Sequence, residues 1–469
     1  MIHKRTKVVC TIGPASSDPK ILKQMMLSGM NVVRLNFSHG NHEEREEQIK
    51  NVRRLAKEIG KPVAIFADLQ GPKLRLGIID GIRKITKGDK INLSLNPIGD
   101  ELPMQFDLSP YVKHGQRIFL NDGLVELKVL EVAGKTIKTI ALNNGVVSSN
   151  KGVNVPDTTI REGVFTQKDA VDAEFALKMG VDYLALSFIQ TVDDMKRAKE
   201  LIKQYSPNTK IIVKVEKREA IENIEEIVKA TDVVMVARGD LAIETSNAEV
   251  PIMQERIVKI CRQYQKPVII ATQMLESMIE NPRPTRAEVS DVANAVLDQV
   301  DCVMLSAESA QGKYPVEVVE TMTNVILSVE KFPDYKHYTN INWDALIAKE
   351  VPQLAIASAA SSLGNRLGAK ALVVGTVSGR TAKLVSAFRP DARIIAITHD
   401  EQTKNQLALV WGIEPHVVKP SANFNTFLEH ILAEVKTIKE FNKGDKIVMV
   451  TGTIAGLTGA TSTIEVATL

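Results

Sequence analysis

Residues 210–219, KIIVKVEKRE, decide the fold class, because an apolar run rich in β-branched residues ends in a cation and an anion two positions apart. If the run is a β-strand, Lys214 and Glu216 project from the same face near its carboxyl end. Such a pair is an odd way to build a core and a common way to build a site for a metal ion and an anionic substrate. The stretch therefore predicts a strand that carries polar side chains to a functional surface.

Similar polar clusters end other apolar runs of the chain. They comprise Arg34, Asn36 and Ser38 in NVVRLNFSHG, Asp68 in PVAIFADL, Asp240 after VVMVAR, and Ser306 and Glu308 in DCVMLSAES. The carboxyl ends of parallel strands meet at one edge of a sheet, so these side chains are expected to converge.

Short β-branched runs alternate with amphipathic stretches over most of the first 330 residues, which is typical of βα units around a parallel sheet. Eight runs are present: KVVCTIG from residue 7, NVVRLNF from 31, PVAIFADL from 62, YLALSF from 183, KIIVKV from 210, DVVMVAR from 232, PVIIATQ from 267 and CVMLSAE from 302. Eight units predict an α/β fold, a (β/α)8 TIM barrel, whose active site lies at the carboxyl face of the strands.

The alternation is interrupted after the third run and changes again near the end. Short alternating strands with turn signals, such as KGDKINLSL, predict a small antiparallel β-barrel domain inserted in a βα loop, where it can act as a lid. Later strands, ALVVGT, RIIAIT, HVVK and KIVMVTG, predict a C-terminal α/β domain. The predicted domains are residues 1–71 (barrel, first part), 72–158 (inserted β lid), 159–346 (barrel, second part) and 347–469 (C-terminal α/β regulatory domain).

Composition restricts the class of protein. In 469 residues, 59 basic side chains nearly balance 56 acidic ones, so no nucleic-acid partner is expected. No apolar run approaches the ~18 residues that a membrane span needs, and the start MIHKRTKVVCTIGP is not a signal peptide. Cys10, Cys261 and Cys302 lack CxxC spacing and lie in apolar segments, which favours reduced cysteines and a cytoplasmic protein.

The chain carries no Walker loop and no GxGxxG that opens a helix, so P-loop kinases and Rossmann dehydrogenases lack their motifs here. The chemistry is therefore expected at the barrel mouth. Glu216 and Asp240 end successive strands and suit a hard divalent cation completed by water or substrate oxygens. Lys214 would neutralise negative charge that develops beside the cation. The alternative is a purely structural Lys214–Glu216 ion pair.

Other mouth residues have a functional and a structural interpretation side by side. For Arg34 the functional one is favoured, because a buried guanidinium needs an anion. For Asn36 and Ser38, a hydrogen-bonded layer that closes the barrel is an equal alternative to a ligand role. Thr272 follows the seventh strand, where a threonine bonded to backbone is the usual explanation. The turn after Gly239 could start a helix whose N–H groups hold a carboxylate or phosphate.

The long segment ATQMLESMIENPRPTRAEVSDVANAVLD at 271–298 is highly specific, and it is accompanied by the segments TIGPAS, NVVRLNFSHG, GPKLR, NDGL, NKGVNVP, LSFIQ, IIVKVE, VMVARGDL and MLSAESAQGKYP. On these segments, the chain resembles the pyruvate kinase family from end to end. The family fold, a barrel with an inserted β lid and a C-terminal αβ domain, is the one predicted above. The resemblance implies transfer of the phosphoryl group of phosphoenolpyruvate to ADP, giving pyruvate and ATP, in the last step of glycolysis.

The resemblance also implies roles for the residues of the mouth. Glu216 and Asp240 would bind the divalent cation, Mg2+ or Mn2+. Lys214 and Arg34 would stabilise the phosphoryl group in flight, since such transfer depends mainly on positioning and charge neutralisation. The nucleotide, ADP or ATP, would meet Thr11, Pro14, Asn36, His39, Arg75 and Lys151.

Two further implied roles concern the pyruvate part of the substrate. The backbone amides of Gly239 and Asp240, together with Thr272, would hold the substrate carboxylate. A network of Thr272, Ser306 and Glu308 would protonate enolpyruvate at carbon 3, and a water is an alternative proton donor.

Two segments depart from the family pattern. Ala242 stands where the family mostly has glycine, which implies a small local adjustment. DLQGPKLRL at 68–76 replaces the more widespread DTKGPEIRT, which puts the family's monovalent-cation site in doubt. The ligands of that site would be Asn36, Ser38, Asp68 and the backbone of Leu69. Because Lys73 can place an ammonium in the same region, K+ is not expected to be required, and a potassium-independent DLQGPK subgroup is suspected.

In the last domain, GTVSGRTAKLVSAFRP at 375–390 places a hydroxyl-rich turn between a strand and a helix, which is a phosphate cradle on physical grounds. It matches the family's effector loop at Thr376, Ser378, Gly379, Arg380 and Thr381. A capped turn with no ligand is the alternative. The resemblance implies allosteric activation and a homotetramer. It leaves the effector open among sugar monophosphates, AMP and fructose 1,6-bisphosphate.

Two other functions remain open from the residues alone. A barrel lyase or aldolase acting on pyruvate enolate would use the same lysine and metal, but it would not need Arg75, Lys151 or the lid. A catalytically inactive regulator would only bind phosphometabolites, although a competent residue fills every role. Pyruvate release that depends on ADP distinguishes the kinase from the lyase.

Overall fold

The computed structural model describes residues 3–160, 164–332, 335, 341, 343–347, 352–420, 424–452 and 461–469. Its barrel strands are β1 Lys7–Thr11, β2 Met30–Asn36, β3 Ala64–Asp68, β12 Tyr183–Leu186, β13 Lys210–Val215, β14 Val233–Ala237, β15 Val268–Ala271 and β16 Cys302–Leu305. They are all parallel and close in the order β1-β16-β15-β14-β13-β12-β3-β2. The predicted eight-stranded barrel is thereby confirmed.

Helices follow the strands of the barrel. They are α1 Pro19–Ser28, α2 His42–Ile59, α3 Gln167–Lys178, α4 Lys196–Tyr205, α5 Arg218–Glu222, α6 Ile224–Ala230, α7 Arg238–Glu244, α8 Val250–Gln263, α9 Arg286–Leu297, α10 Ala307–Ala310, α11 Pro315–Glu330 and α12 Trp343–Ile347. Short polar side chains set several starts: Asp18 and Asn41 accept backbone N–H bonds at α1 and α2, and Thr166 and Thr285 form capping boxes at α3 and α9. The stretch AIENIEEIVKA spans two helices, because the chain breaks at Asn223 between α5 and α6.

The inserted β-domain lies between β3 and α3. Its strands are β4 Ile82–Ile85, β5 Lys90–Ser94, β6 Leu102–Pro103, β7 Arg117–Leu120, β8 Val125–Ala133, β9 Thr136–Ala141, β10 Gly145–Ser148 and β11 Val153–Asn154. Six of them form a sheet ordered β11-β7-β8-β9-β5-β6, and β10 pairs with β4. Leu93, Ile118 and Leu127 belong to a separate buried core of this domain. The insertion therefore has its own core.

The C-terminal domain contains a five-stranded sheet ordered β19-β18-β17-β20-β21. Its elements are α13 Pro352–Leu367, β17 Ala371–Gly375, α14 Arg380–Ala387, β18 Arg393–Thr398, α15 Glu401–Leu407, β19 Ile413–Val417, α16 Phe424–Thr437, β20 Lys446–Gly452 and β21 Thr461–Thr468. The third strand starts at Ile413 rather than at His416, since an edge strand tolerates Pro415. The antiparallel edge strand β21 is not among the four strands predicted above. No helix of the described ranges is both long and apolar enough to cross a membrane.

Apolar side chains fill the barrel interior, and the C-terminal domain contributes to this core. Ala408 and Leu409 pack with the inward-facing residues of the barrel strands. The hydroxyl of Tyr183 donates to the carbonyl of Gln406 at 2.7 Å. The segment 406–411, called here the floor plug, therefore closes the amino end of the barrel, opposite the face where the strands end.

Candidate active site

Lys214 lies in an ion-pair cluster where β13 reaches the barrel mouth. Its Nζ atom is 2.8 Å from Oε1 of Glu216 and 3.2 Å from Oδ1 of Asp68, and it donates to Oγ of Ser187 at 2.8 Å. The lysine side chain is 12% exposed, against 2% for Asp68 and 1% for Glu216. Three oxygens from different strand ends therefore fix the ammonium group before any substrate binds.

Arg34 extends this cluster from β2. Its Nε donates to Oδ2 of Asp68 at 2.7 Å, and its Nη1 donates to Oγ1 of Thr11 at 3.1 Å. Within the described residues, no hydrogen bond is made by Nη2 of Arg34. A half-buried guanidinium with a donor to spare is suited to an incoming anion.

Burial and ion pairing act in opposite directions on the charges of the cluster. Burial alone would raise the pKa of Asp68, but Lys214 and Arg34 bring that pKa below its usual value. Burial would likewise lower the pKa of Lys214, but Asp68 and Glu216 outweigh it, so that the lysine pKa is raised. The ammonium is therefore kept charged over the physiological pH range.

Glu216 and Asp240 fit a hard divalent cation. Burial and repulsion from Asp240 raise the pKa of Glu216, whereas Lys214 lowers it. The pKa of Glu216 is raised as a result, and burial is the largest cause. Glu216 is buried and is repelled by the neighbouring Asp240, and Lys214 alone does not offset both effects. A bound cation would supply the additional positive charge. Asp240 lies in the first turn of α7 and is 25% exposed, so its oxygens are open to solvent.

No group of three or more His, Cys, Asp or Glu among the described residues forms a preassembled metal site. A cation held by Glu216 and Asp240 would therefore take its remaining oxygens from water or substrate, as Mg2+ commonly does.

Lys73 reaches a different part of the mouth from the one expected. Its Nζ lies 3.3 Å from Oδ1 of Asp122, on a turn of the lid, and 3.6 Å from Oδ1 of Asp240. The contacts of its ammonium are with the lid and the expected metal carboxylate, and none is with Asp68. The tight turn around Gly71, where the amide of Lys73 donates to the Gly71 carbonyl at 2.9 Å, sends the side chain across the mouth.

The turn after β15 brings Thr272 to the amino end of α7. Thr272 and Gln273 have φ values of 72° and 54°, which non-glycine residues rarely adopt. Oγ1 of Thr272 accepts from the amide of Gly239 at 2.9 Å. Arg238 braces the turn by donating to the Thr272 carbonyl at 2.6 Å while it pairs with Asp291 at 2.7 Å. The strained conformation is thus held in place, and the Gly239 amide is bonded to Thr272 in this state.

Ser306 and Glu308 form a third group, beyond β16. Glu308 is fully buried, and its carboxylate accepts from the amide of Ser306 at 2.6 Å and from that of Leu275 at 3.3 Å. Among the described residues, no partner is present for the buried Oγ of Ser306. An unsatisfied buried hydroxyl is costly, so this atom is expected to bond a water or a substrate group.

Cations surround His39 at the rim of the mouth. Burial lowers the pKa of His39, and Arg75, Arg45, Arg34 and Lys73 lower it further. The imidazole is therefore neutral at physiological pH, within a strongly positive field. Such a field attracts polyanions, a nucleotide among them.

The remaining residues expected to meet the nucleotide lie on two walls. Thr11 and Pro14 belong to the barrel, at the end of β1 and in the following turn. Arg75 and Lys151 belong to the lid side, where Nη1 of Arg75 donates to the carbonyl of Asn150 at 2.9 Å. Movement of the lid would therefore change the distance between the two walls.

Two of the oxygens expected to hold a monovalent cation already accept hydrogen bonds. Oδ1 of Asn36 accepts from the amide of Ser38 at 3.1 Å, and the carbonyl of Leu69 accepts from Oγ of Ser187 at 2.8 Å. Asp68 is paired with two cations. Its Oδ1 atom lies within ion-pair distance of Lys214 but makes no hydrogen bond. The oxygens of Asn36 and Leu69 thus already accept hydrogen bonds within the protein, whereas Oδ1 of Asp68 has only an ion-pair contact.

The predicted effector turn precedes α14 in the C-terminal domain. Gly379 has φ 78° at the helix cap, and a Cβ there would lie 3.1 Å from a methyl carbon of Leu407, so glycine is required. The N-cap position of α14 is Gly379, which has no side chain that could cap the helix. Thr376 is buried, whereas Ser378 and Arg380 are exposed. The turn therefore offers backbone N–H groups, a hydroxyl and a guanidinium to solvent.

Two contributions to the site were not predicted as functional. Ser187 follows β12 and orients both Lys214 and the Leu69 carbonyl. Lys217 pairs with Glu244 at 2.8 Å, and Glu244 also accepts from Asn154 of the lid at 3.4 Å. Ser187 could have been recognised, since it occupies a strand end like the other polar clusters. Lys217 and Glu244 are far apart in the sequence, so no local sequence pattern indicates that they are in contact.

Comparison with known proteins gives the same family for both halves of the chain. A family model described as "Pyruvate kinase, barrel domain" matches residues 3–319, and one described as "Pyruvate kinase, alpha/beta domain" matches residues 354–467. Proteins named pyruvate kinase from Sporosarcina psychrophila and from Staphylococcus aureus strain MRSA252 are each 40% identical to the chain. Each alignment covers 99% of this chain and 80% of the relative.

Proposed function

The chain belongs to the pyruvate kinase family and is a phosphotransferase of that type, and from this premise we propose how its own residues carry out the reaction. The observation that carries the proposal is the pair of cations, Lys214 and Arg34, held on Asp68 at the barrel mouth. A phosphoryl group in transfer needs positioning and charge neutralisation more than covalent help. The lyase or aldolase alternative lacks such support, because the similarity to pyruvate kinases covers 99% of the chain.

Lys214 and Arg34 are the phosphoryl-binding residues in this proposal. A divalent cation, Mg2+ or Mn2+, when held by Glu216 and Asp240, supplies positive charge for the phosphoryl and enolate oxygens. Lys214 keeps its charge because Asp68 and Glu216 hold it, so it can stabilise negative charge as the enolate forms. The free Nη2 of Arg34 donates to a phosphoryl oxygen.

The pyruvate part of the substrate lies against α7 and the turns after β15 and β16. Gly239 and Asp240 present backbone amides to the carboxylate, and Thr272 exchanges its bond to Gly239 for one to the substrate. The free hydroxyl of Ser306, which Glu308 orients through the Ser306 amide, holds a proton donor near carbon 3 of the enolate. Thr272 or a water passes that proton.

The nucleotide site lies between the two walls described above. Thr11, Pro14, Asn36 and His39 form the barrel wall, and Arg75 and Lys151 approach from the lid. The neutral His39 adds no charge of its own, while the surrounding cations offset the phosphates. The position of the lid affects nucleotide binding in this proposal, because Arg75 and Lys151, the cations that meet the phosphates from that side, belong to the lid wall.

The first prediction tests the activity itself. Purified protein should form pyruvate from phosphoenolpyruvate only when ADP and Mg2+ or Mn2+ are present, and ATP should appear in equal amount. Lactate dehydrogenase coupling reports pyruvate, and luciferase reports ATP. Pyruvate release without ADP would support the lyase alternative, and no turnover under any condition would support an inactive regulator.

We also propose that K+ is not required. The oxygens of Asn36 and Leu69 are already bonded within the protein, and Lys73 adds a fixed positive charge beside Asp240. The ammonium of Lys73 lies beside Asp240, one of the two proposed metal ligands. We had expected it in the region of Asp68.

Regulation through the C-terminal domain gives a second prediction. Replacing Ser378 and Thr381 together by alanine should abolish activation by a phosphorylated effector and leave the saturated turnover unchanged, because the turn is remote from the mouth and acts on a conformational equilibrium. A titration with sugar monophosphates, AMP and fructose 1,6-bisphosphate identifies the effector. Ser362→Ala, an exposed serine on α13, is the matched control and should respond as the unmutated protein does. If none of these compounds activates the unmutated protein, the turn is only a helix cap.

The remaining parts of the proposal concern organisation. The domain divisions at 71/72, 158/159 and 346/347 are supported by where the barrel strands, the β-sheet of the insertion and the C-terminal sheet lie. A homotetramer is proposed from the family, and sedimentation velocity at micromolar concentration should give a single species of four chains. A cytoplasmic location is proposed because Cys10, Cys261 and Cys302 are buried and free.

A further inference from the structure

Arg45 is a buried cation near the amino end of helix α2, next to the barrel wall of the proposed nucleotide site. The residue is 6% exposed, and among the residues that the structure describes no carboxylate forms an ion pair with it. Burial lowers the pKa of Arg45. A positive charge is also disfavoured at the amino end of a helix. An arginine placed there at such a cost is expected to serve the groups that it contacts.

The guanidinium of Arg45 holds the turn that carries Asn36 and His39. Its Nη2 donates to the carbonyl of Asn36 at 3.0 Å and to that of His39 at 2.7 Å. The backbone passes close to this nitrogen, because a Cβ at Gly40, whose φ is 74°, would lie 2.8 Å from Nη2. One nitrogen atom therefore binds both ends of the segment 36–39, and the two ends cannot move apart without the loss of a bond.

The same side chain is connected to the other segment of the barrel wall. Nη1 of Arg45 donates to Oε1 of Gln48 at 2.6 Å, and Nε2 of Gln48 donates to Oγ of Ser17 at 3.0 Å. That hydroxyl donates to the carbonyl of Gly13 at 2.8 Å, directly before Pro14. A guanidinium can only donate, so the amide of Gln48 accepts with its oxygen and donates with its nitrogen. The hydrogen bonds therefore run without a break from one wall segment to the other.

We propose that Arg45, Gln48 and Ser17, called here the wall relay, set the spacing between His39 and Pro14 and so determine the affinity for the nucleotide. The inference rests on the proposed function, in which both of those residues meet ADP. A wall that is already in position spares the nucleotide the cost of ordering it. Within the described residues, no hydrogen bond of the wall relay reaches the phosphoryl-binding cations. Its members are therefore positioning residues for the nucleotide.

The test compares Arg45→Met and Gln48→Met with the unmutated protein in steady-state kinetics. We expect each substitution to raise KM for ADP by about fivefold or more, because the nucleotide itself must then order the wall. KM for phosphoenolpyruvate and kcat at saturating ADP should stay within about twofold of their unmutated values, since the phosphoryl-binding cations keep their partners. In the double variant, the rise in KM for ADP should be smaller than the product of the two single effects, because the two residues act as one unit.

Three further variants separate positioning from charge and from folding. Arg45→Lys keeps the positive charge but cannot reproduce the forked hydrogen bonds, so KM for ADP should remain raised. Ser17→Ala deletes a single hydroxyl at the far end of the wall relay and should raise KM for ADP as Gln48→Met does, which keeps the test decisive if Arg45→Met does not fold. Arg54→Met, at an exposed arginine of the same helix, is the matched control and should leave every kinetic constant unchanged.

Calorimetric titration of the full chain with MgADP measures nucleotide affinity without turnover. The dissociation constant should rise in Gln48→Met and Ser17→Ala in parallel with KM for ADP. If the unmutated protein bound MgADP without forming pyruvate, the proposed function would fail, and this titration would still decide on the wall relay.

Three results overturn the role of the wall relay. The first is that Gln48→Met and Ser17→Ala bind MgADP as tightly as the unmutated protein does. The second is that Arg45→Lys restores the unmutated KM for ADP, which would assign the effect to charge alone. The third is that KM for phosphoenolpyruvate rises by the same factor as KM for ADP, which would indicate a general loss of structure.

Discussion

Lys214→Met is expected to lower kcat by about 10³-fold or more, because the substitution removes a positive charge that the transition state needs and the ground state does not. The ammonium is fixed by Asp68, Glu216 and Ser187, so its charge is already in position before the transition state forms. Affinity for Mn2+ should be unchanged or tighter, since Glu216 loses a competing positive charge. Initial rates with saturating phosphoenolpyruvate and ADP, together with Mn2+ titration by electron paramagnetic resonance, measure both quantities.

Two controls separate charge stabilisation from a loss of structure. Lys214→Arg keeps the charge but moves the donor atoms, so it should recover only part of the lost turnover. Lys210→Met makes the same change at the other end of β13 and should retain turnover close to that of the unmutated protein. Near-normal turnover in Lys214→Met, with a fold verified by circular dichroism, would remove the lysine from the mechanism.

Lys73→Glu should make the enzyme dependent on K+. In buffers that hold ionic strength with tetramethylammonium salts and contain no K+ or NH4+, the unmutated protein should be fully active and the variant should lose most of its activity. The physical reason is that the substitution places a third carboxylate beside Asp122 and Asp240, which Lys73 now approaches at 3.3 and 3.6 Å. Added K+ should restore a substantial part of the rate by offsetting that charge.

The matched control for this experiment is Lys84→Glu, which reverses an exposed charge on β4 of the lid, away from the contacts of the mouth. It should change neither the rate nor the response to K+. Lys73→Met removes the charge without adding one and is expected to lie between the unmutated protein and Lys73→Glu. A large stimulation of the unmutated protein by K+ would show that Lys73 does not replace the ion.

The sequence was most informative where chemistry and local pattern coincide. Apolar runs that end in polar pairs, such as Lys214 with Glu216, predicted both the barrel strands and the face at which they deliver their side chains. The contact of Lys73 with Asp240 could not be predicted, because it depends on how a turn after β3 is aimed across the mouth. The pairing of Lys217 with Glu244 and the lid likewise joins segments that have no periodic relation.

Edge elements were harder to predict for a related reason. The strand β21 pairs along one side only, so its outer residues face solvent and its pattern resembles that of a loop. Strand β19 starts at Ile413, whereas the predicted strand starts at His416. Pro415 would argue against a central strand, but an edge strand tolerates it. In both cases the neighbouring strand, rather than the residue pattern, determines the structure.

The floor plug bears on how this molecule can be divided or recombined. Ala408 and Leu409 belong to the same core as the inward residues of the barrel, and the hydroxyl of Tyr183 is satisfied by the carbonyl of Gln406. A fragment cut near residue 347 would therefore expose the apolar base of the barrel and leave a buried donor without its acceptor. A chimera that exchanges the last domain between relatives must carry matching residues on both sides of that base. The C-terminal domain is in this sense part of the barrel's architecture, and it is not an interchangeable module.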